Sequence, residues 1–121
     1  MKNKEQRDNL NNYRLRGRIW LEAGDSAVLG AGKAELLRRT AGYGSLRKAA
    51  LSLGISYRQA WYSINKLNNV TDRPLIVLQH GGKNGGVARL TEFGSQVIEM
   101  FEKSQREFET FLDEQTGHIN G

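Results

Sequence analysis

Residues 45–67 read SLRKAALSLGISYRQAWYSINKL, and the architecture of the chain follows from this stretch. Apolar residues recur at helical spacing in its first half, at Leu46, Ala49, Ala50 and Leu53. This stripe predicts a short helix, which Ser45 can cap. Gly54 is expected to end the helix, because glycine adopts the left-handed backbone of a tight turn without steric strain. Ser56 and Gln59 have the spacing of a capping box, which predicts the start of a second helix. Its buried face is expected at Ala60, Ile64 and Leu67.

Two short helices joined by a three-residue turn that contains glycine predict a helix-turn-helix unit. Ala50 is small, so the helices can approach closely, and Ile55 is expected to fill the core between them. Polar and aromatic residues then remain on the outer side of the second helix, at Ser56, Tyr57, Arg58 and Tyr62. Trp61 lies beside the buried face. We expect it to fill the core, and presentation of its indole N–H to DNA is the alternative.

The outer face of the second helix has the chemistry of a helix that enters the major groove of DNA. Arg58 can form a bidentate pair with guanine, and Tyr57 can reach a phosphate or a thymine methyl group. In the other interpretation, the unit serves only packing or protein interaction. The candidate DNA-contacting residues of the two helices are Ser45, Arg47, Lys48, Ser56, Tyr57, Arg58, Gln59 and Tyr62.

The flanking segments predict a winged helix-turn-helix. Alternation of Leu15, Ile19 and Leu21 with charged residues predicts a half-buried strand. The remaining expected elements are a return strand over 27–29, a helix over about 31–41, two strands over 75–78 and 88–90, and a helix from Thr91 to about Glu114. The predicted class is α+β, mainly α, with an amino-terminal β-hairpin and a long carboxy-terminal dimerisation helix. We expect a polar, flexible arm over 1–13, one domain over 14–114 and a flexible tail over 115–121.

Six residues between the last two strands, GGKNGG at 81–86, predict the wing. Lys83, Asn84 and Arg89 are its candidate DNA contacts, since glycines allow close approach of the backbone to the sugar-phosphate chain. A nucleotide-binding loop would need a lysine followed by Ser or Thr and then a helix. Here a strand is expected instead, which excludes that class. A mobile hairpin tip without contacts remains the alternative.

Charge is unevenly distributed along the 121 residues, whose formal net charge is +5. Residues 30–90 carry ten basic and two acidic side chains, whereas residues 91–121 carry two basic and seven acidic ones. A basic middle with an acidic end is expected of a polyanion-binding protein whose last helix faces away from the polyanion, although an uneven solvated surface is the simpler reading.

Several classes of protein are disfavoured by composition. The chain has no cysteine and two histidines, which are too few ligands for a zinc site, so we expect no metal and no catalysis. No run of about 18 apolar residues and no signal-peptide pattern is present. We therefore expect a cytoplasmic protein that does not enter a membrane.

The last helix carries a heptad pattern that predicts pairing of two copies. Its residues are Val97, Phe101, Ser104, Phe108 and Phe111, widened by Phe93, Met100 and Leu112. The candidate dimerisation residues are Val97, Met100, Phe101, Ser104, Phe108 and Phe111. The alternative is that this helix folds back on its own domain.

These motifs occur together in one known family. They are Gly44-Ser45-Leu46, Ala49-Ala50, Gly54-Ile55-Ser56-Tyr57, Ala60-Trp61, Asn65, Leu67-Asn68, Gly81-Gly82-Lys83, Gly85-Gly86, Leu90-Thr91 and Phe93-Gly94. In this order they resemble the amino-terminal DNA-binding domain of ModE-type molybdate-responsive transcription regulators, which is similar to the LysR-type winged helix. The resemblance covers about residues 14–112. Asn84 stands where many members have glycine.

The resemblance implies a homodimer that represses or activates genes of molybdate uptake and molybdoenzyme synthesis. Full-length members carry carboxy-terminal oxyanion-binding domains, and these 121 residues include none, so we expect no cofactor. The predicted function is sequence-specific binding of double-stranded DNA as a homodimeric transcription regulator. The alternative is an adaptor whose winged helix docks a protein partner without specific DNA binding.

Overall fold

The computed structural model describes residues 12–79 and 86–120. In these residues the elements, in chain order, are β1 (Leu21–Ala23), β2 (Ser26–Leu29), α1 (Ala31–Tyr43), α2 (Leu46–Leu53), α3 (Tyr57–Val70), β3 (Ile76–Gln79), β4 (Val87–Leu90) and α4 (Glu92–Asn120). The chain forms two compact units, Trp20–Glu102 and Met1–Ile19 with Lys103–Gly121. The predicted domain over 14–114 coincides with neither unit.

The helix-turn-helix has the predicted turn and caps. The Ser45 hydroxyl oxygen accepts a hydrogen bond of 3.1 Å from the amide of Lys48 at the start of α2. Gly54 ends α2 with φ of 69°, the left-handed region that glycine adopts without strain. The Ser56 hydroxyl oxygen accepts a hydrogen bond of 3.0 Å from the amide of Gln59 and so begins α3. Such caps typically contribute about 1 kcal/mol each.

The core of the larger unit collects apolar side chains from its helices and strands. Its largest fully buried apolar side chains are Leu29, Leu37, Ile64, Leu67, Leu75, Ile76 and Ile98. Ala49 and Ala60 are fully buried as well, and helices α2 and α3 pack against each other. Small residues let two helix backbones approach closely, so the two alanines favour tight packing of α3 on α2.

The second sheet is a hairpin held firmly at its base. Strands β3 and β4 pair antiparallel from Ile76↔Leu90 to Gln79↔Val87. The Asn68 side chain of α3 donates to the Ile76 carbonyl and accepts from the Leu75 amide, both at 2.9 Å. Gly94 lies so close to Leu75 that a Cβ at this position would overlap the Leu75 carbonyl oxygen. The hairpin base is thereby fixed to both α3 and α4.

Two elements differ by more than two residues from the bounds that the sequence predicts. The strand expected from Leu15 is wrong over most of its length, because β1 begins only at Leu21, where residues find pairing partners in β2. The last helix does not end near Glu114 but continues to Asn120. Gly117 does not adopt a positive φ and therefore does not stop it. The expected tail over 115–121 is helical as far as residue 120.

In the smaller unit, residues before β1 lie along the carboxy-terminal part of α4. The Leu15 amide donates a hydrogen bond of 2.9 Å to the Thr116 hydroxyl oxygen. A Cβ at Gly17 would come within 2.9 Å of the Phe108 ring, so a larger residue here would require the Phe108 side chain to shift. The Phe108 and Phe111 rings stack with their centroids 6.3 Å apart.

Candidate nucleic-acid interface

The first turns of α3 expose the side chains that the sequence singles out. Tyr57 is 38% exposed and Tyr62 is 65% exposed, and Arg58 is exposed as well. Ser56 and Gln59 lie in the same exposed segment, where the Ser56 hydroxyl caps the helix. The opposite face of α3 is buried, so these side chains form an outward-facing surface at the amino-terminal end of a firmly packed helix.

Trp61 belongs to this exposed face, and the prediction that it fills the core is wrong. Its side chain is 39% exposed, whereas the neighbouring Ala60 is fully buried. Helices α2 and α3 pack against each other, and their buried residues include Ala49, Ala50 and Ala60, whose small size allows two helices to approach closely. Trp61 lies one helical turn after Tyr57, which places the two aromatic side chains next to each other on α3.

The amino-terminal ends of α2 and α3 concentrate positive charge. Neither helix has an acidic residue in its first turn, and Arg47, Lys48 and Arg58 occupy the second and third helical positions. All three are exposed and, among the residues the structure describes, none of them forms an ion pair. A cation there opposes the helix dipole by about 0.3–1 kcal/mol. An anion bound nearby would remove this penalty.

The two arginines of α1 differ from these three cations, because both form ion pairs with acidic side chains. Arg38 donates two hydrogen bonds to the Glu102 carboxylate, and this bonding raises the pKa of the Arg38 guanidinium. Arg39 pairs with Glu35 at 2.6 Å and also donates to the Ser52 carbonyl oxygen at 3.1 Å. These contacts support helix packing, in contrast to Arg47, Lys48 and Arg58, whose charges are unpaired within the described residues.

Two of these exposed residues contact each other across the turn. The Arg47 guanidinium carbon lies 5.0 Å from the centroid of the Tyr57 ring. That distance is typical of a cation–π interaction, which contributes about 0.5–1 kcal/mol at an exposed site. The sequence identifies both residues as candidates but does not reveal the contact between them.

The wing is described only at its base. Arg89 is exposed on β4, while Ala88 is buried and donates a backbone hydrogen bond of 3.0 Å to the Gly44 carbonyl. The predicted tip contacts, Lys83 and Asn84, lie outside the described residues. The Ala88 bond therefore places the base of the wing beside the residue that precedes the Ser45 cap.

The predicted pairing residues on α4 fall into two groups. Val97 and Phe101 are buried within the single chain, so the expectation that they face a second copy is corrected. They share a face with Ile98, which is also fully buried, because the helix packs on its own unit there. Met100, Ser104 and Phe111 are exposed, and Phe108 is half-buried. We call Met100, Ser104 and Phe111 the exposed α4 stripe.

The described residues contain no group of three or more His, Cys, Asp or Glu side chains placed to hold a metal ion. Among the helices within 12–79 and 86–120, none combines the length and the apolar character needed to cross a membrane.

Comparison with known proteins points to one family. The model of the bacterial regulatory helix-turn-helix proteins of the lysR family matches residues 33–95. The molybdenum transport protein ModE of Azotobacter vinelandii is 30% identical over 107 residues, which is 88% of this chain and 40% of that protein. The DNA-binding transcriptional dual regulator ModE of Escherichia coli K12 is 34% identical over 89 residues, covering 70% of this chain and 34% of that protein.

A third relative has the same kind of match. The molybdenum-pterin-binding protein MopA of Rhodobacter capsulatus is 34% identical over 92 residues, covering 76% of this chain and 35% of that protein. The chain thus spans at most 40% of the length of these three relatives. The family match includes α2, α3 and both strands of the wing. The chain belongs to the bacterial regulatory helix-turn-helix proteins of the lysR family.

Proposed function

We propose that this chain is a transcription regulator that binds double-stranded DNA sequence-specifically as a homodimer in the cytoplasm and has no catalytic activity. The observation that carries the proposal is the exposed amino-terminal half of α3, where Tyr57, Arg58 and Tyr62 face outward beside unpaired cations. A helix presented in this way fits the major groove, and arginine is the side chain that most often recognises guanine there.

The cations divide between two tasks in this proposal. Arg58 lies on the first turn of α3 and would contact base edges. Arg47 and Lys48 lie in the first turn of α2, the helix that crosses the DNA backbone in this motif, and would contact phosphates. Lys83, Asn84 and Arg89 of the wing would add contacts beside the groove. The Ser45 hydroxyl is engaged as a helix cap, so its proposed contribution is to hold the α2 amide groups toward a phosphate.

The exposed α4 stripe supports the homodimer. Met100 is 48% exposed and Phe111 is 50% exposed on one long helix, and such apolar side chains gain free energy when a second copy covers them. Pairing of two α4 helices would present two recognition helices to half-sites about 34 Å apart. Sedimentation equilibrium at micromolar concentration should therefore give the mass of a dimer, and a monomer mass under these conditions would refute the pairing.

The relatives named for molybdenum support regulation of molybdenum-related genes as the biological setting. The test is a selection of bound sequences from random duplex DNA, made with and without molybdate. We expect enrichment of a two-fold symmetric site with half-sites one helical turn apart. Absence of any enriched sequence, at salt concentrations where the protein is folded, would contradict specific recognition. A change in enrichment on adding molybdate would assign the oxyanion as an effector of this chain itself.

A further inference from the structure

The cation–π contact between Arg47 and Tyr57 joins the two helices of the motif at their amino-terminal ends. Arg47 is the second residue of α2, and Tyr57 is the first residue of α3. The guanidinium carbon lies 5.0 Å from the ring centroid, and both side chains are exposed. The contact therefore lies on the surface and makes no essential contribution to the buried core.

The Arg47 guanidinium has no acceptor among the described residues. Its five N–H groups form no hydrogen bond or ion pair within 12–79 and 86–120, whereas the guanidinium groups of Arg38 and Arg39 are both bonded to carboxylates. An arginine side chain free in water samples many rotamers, and ordering it opposes binding of a ligand. A ring that already restrains the guanidinium reduces that loss while leaving its N–H donors available.

We propose that Tyr57 is a positioning residue whose ring holds the Arg47 guanidinium in place to bind a phosphate of the DNA backbone. This inference rests on the proposed function and assigns Tyr57 a different part in it. The sequence predicts that Tyr57 reaches a phosphate or a thymine methyl group itself. In the structure the ring already contacts Arg47, and α2 is the helix of this motif that crosses the DNA backbone. The aromatic ring is then the required feature of Tyr57, and its hydroxyl is dispensable.

The test is a double-mutant cycle measured as duplex affinity at several salt concentrations. Arg47→Ala should weaken binding to all duplexes alike and lower the magnitude of the log–log salt slope by about 0.9, the loss of one phosphate contact. Tyr57→Leu should weaken binding about two- to fivefold, because the released Arg47 side chain must then be ordered on binding. Tyr57→Phe should restore most of the affinity that Tyr57→Leu loses. In the Arg47→Ala background, Tyr57→Leu should have no further effect.

Arg73→Ala is the matched control for removal of a ring-stacked charge. The Arg73 guanidinium carbon lies 4.3 Å from the Phe93 ring centroid, so this arginine also stacks on a ring. Arg73 follows the carboxy-terminal end of α3, whose 14 residues span about 21 Å, so it lies far from the proposed interface at the amino-terminal end of that helix. Its removal should leave duplex affinity unchanged. Thermal unfolding should show that Tyr57→Leu is folded at the temperature of the affinity measurements, with only the small loss of stability expected from removal of an exposed cation–π contact.

A measurement without DNA tests the Arg47–Tyr57 contact separately from DNA binding. In the free protein, the side-chain protons of Arg47 should show a ring-current shift in NMR spectra that Tyr57→Leu abolishes. The positioning role would be wrong if Tyr57→Phe weakened duplex binding as much as Tyr57→Leu does. It would also be wrong if Tyr57→Leu weakened binding as much in the Arg47→Ala background as in the wild-type chain. Either result would leave DNA binding by the wild-type chain unaffected. If the wild-type chain binds no duplex, both this inference and the proposed function are wrong.

Discussion

The backbone amide of Ala88 donates a hydrogen bond to the Gly44 carbonyl oxygen at 3.0 Å, which ties the wing strand β4 to the turn before α2. The residue after Gly44 is the α2 cap Ser45, and the residue after Ala88 is the exposed Arg89. The wing base and the cationic start of α2 are therefore neighbours in the fold. This relationship gives the proposed interface a rigid frame, because its parts lie on bonded elements.

Arg58→Ala should relax base preference. If Arg58 forms a bidentate pair with guanine, its loss reduces discrimination at that base pair by about 1–3 kcal/mol. The measurement compares affinities for the selected site and for the same site with the guanine replaced. An unchanged affinity ratio would show that α3 reads DNA through other side chains.

Lys83→Ala should weaken binding to specific and non-specific duplexes by the same factor, since a wing lysine is expected to contact phosphate. The salt slope should fall in magnitude by about 0.9. Titration of both duplexes by fluorescence anisotropy checks this. A loss confined to the specific duplex would assign Lys83 to base recognition instead.

Gly94→Ala should destabilise the larger unit. A Cβ at this position overlaps the Leu75 carbonyl oxygen, which is backbone and cannot rotate away. Forced overpacking of this kind destabilises by about 1–3 kcal/mol or more. Urea denaturation followed by circular dichroism measures the loss in free energy of unfolding.

Gly42→Ala is the control for this substitution. Gly42 lies within α1, its added Cβ would meet nothing within 4 Å, and its φ is not positive. Replacement by alanine in a helix should stabilise by about 0.5–1 kcal/mol. If both substitutions lower stability equally, the close approach of Gly94 to Leu75 is not the cause.

Phe111→Glu should dissociate the proposed dimer. Phe111 is half-exposed on α4, and a carboxylate buried between two copies would be strongly unfavourable. Thr110→Glu introduces the same charge at the adjacent exposed position of the same helix. Sedimentation velocity should show a monomer for Phe111→Glu and the wild-type mass for Thr110→Glu. Equal masses for the two variants would remove the exposed α4 stripe from the interface.

The helix-turn-helix could be predicted from sequence because its determinants are local. Ser45, Gly54 and Ser56 act on the backbone within a few residues, and the apolar spacing in α2 and α3 identifies their buried faces. The exposure of Trp61 could not be read in the same way. It depends on how closely α2 and α3 approach, which is a tertiary property.

Long-range contacts account for the other differences. The strand expected from Leu15 fails because β2 offers partners only to Leu21–Ala23, and periodicity does not show where a partner ends. The heptad pattern on α4 correctly indicates an apolar face. It does not show which of its residues are buried within the chain, such as Phe101, and which are exposed, such as Phe111. The Arg47–Tyr57 contact arises from the turn between two helices, so neither helix pattern predicts it.

The most direct test of the central claim is the affinity of the wild-type chain for a selected duplex as a function of salt concentration. A recognition helix surrounded by phosphate-binding cations predicts tight binding at low salt that weakens with a log–log slope of about −0.9 per neutralised phosphate. It also predicts a preference for the selected site over scrambled duplex at each salt concentration. No affinity for duplex DNA at low salt, with the protein folded, would contradict the claim and favour a protein-docking role.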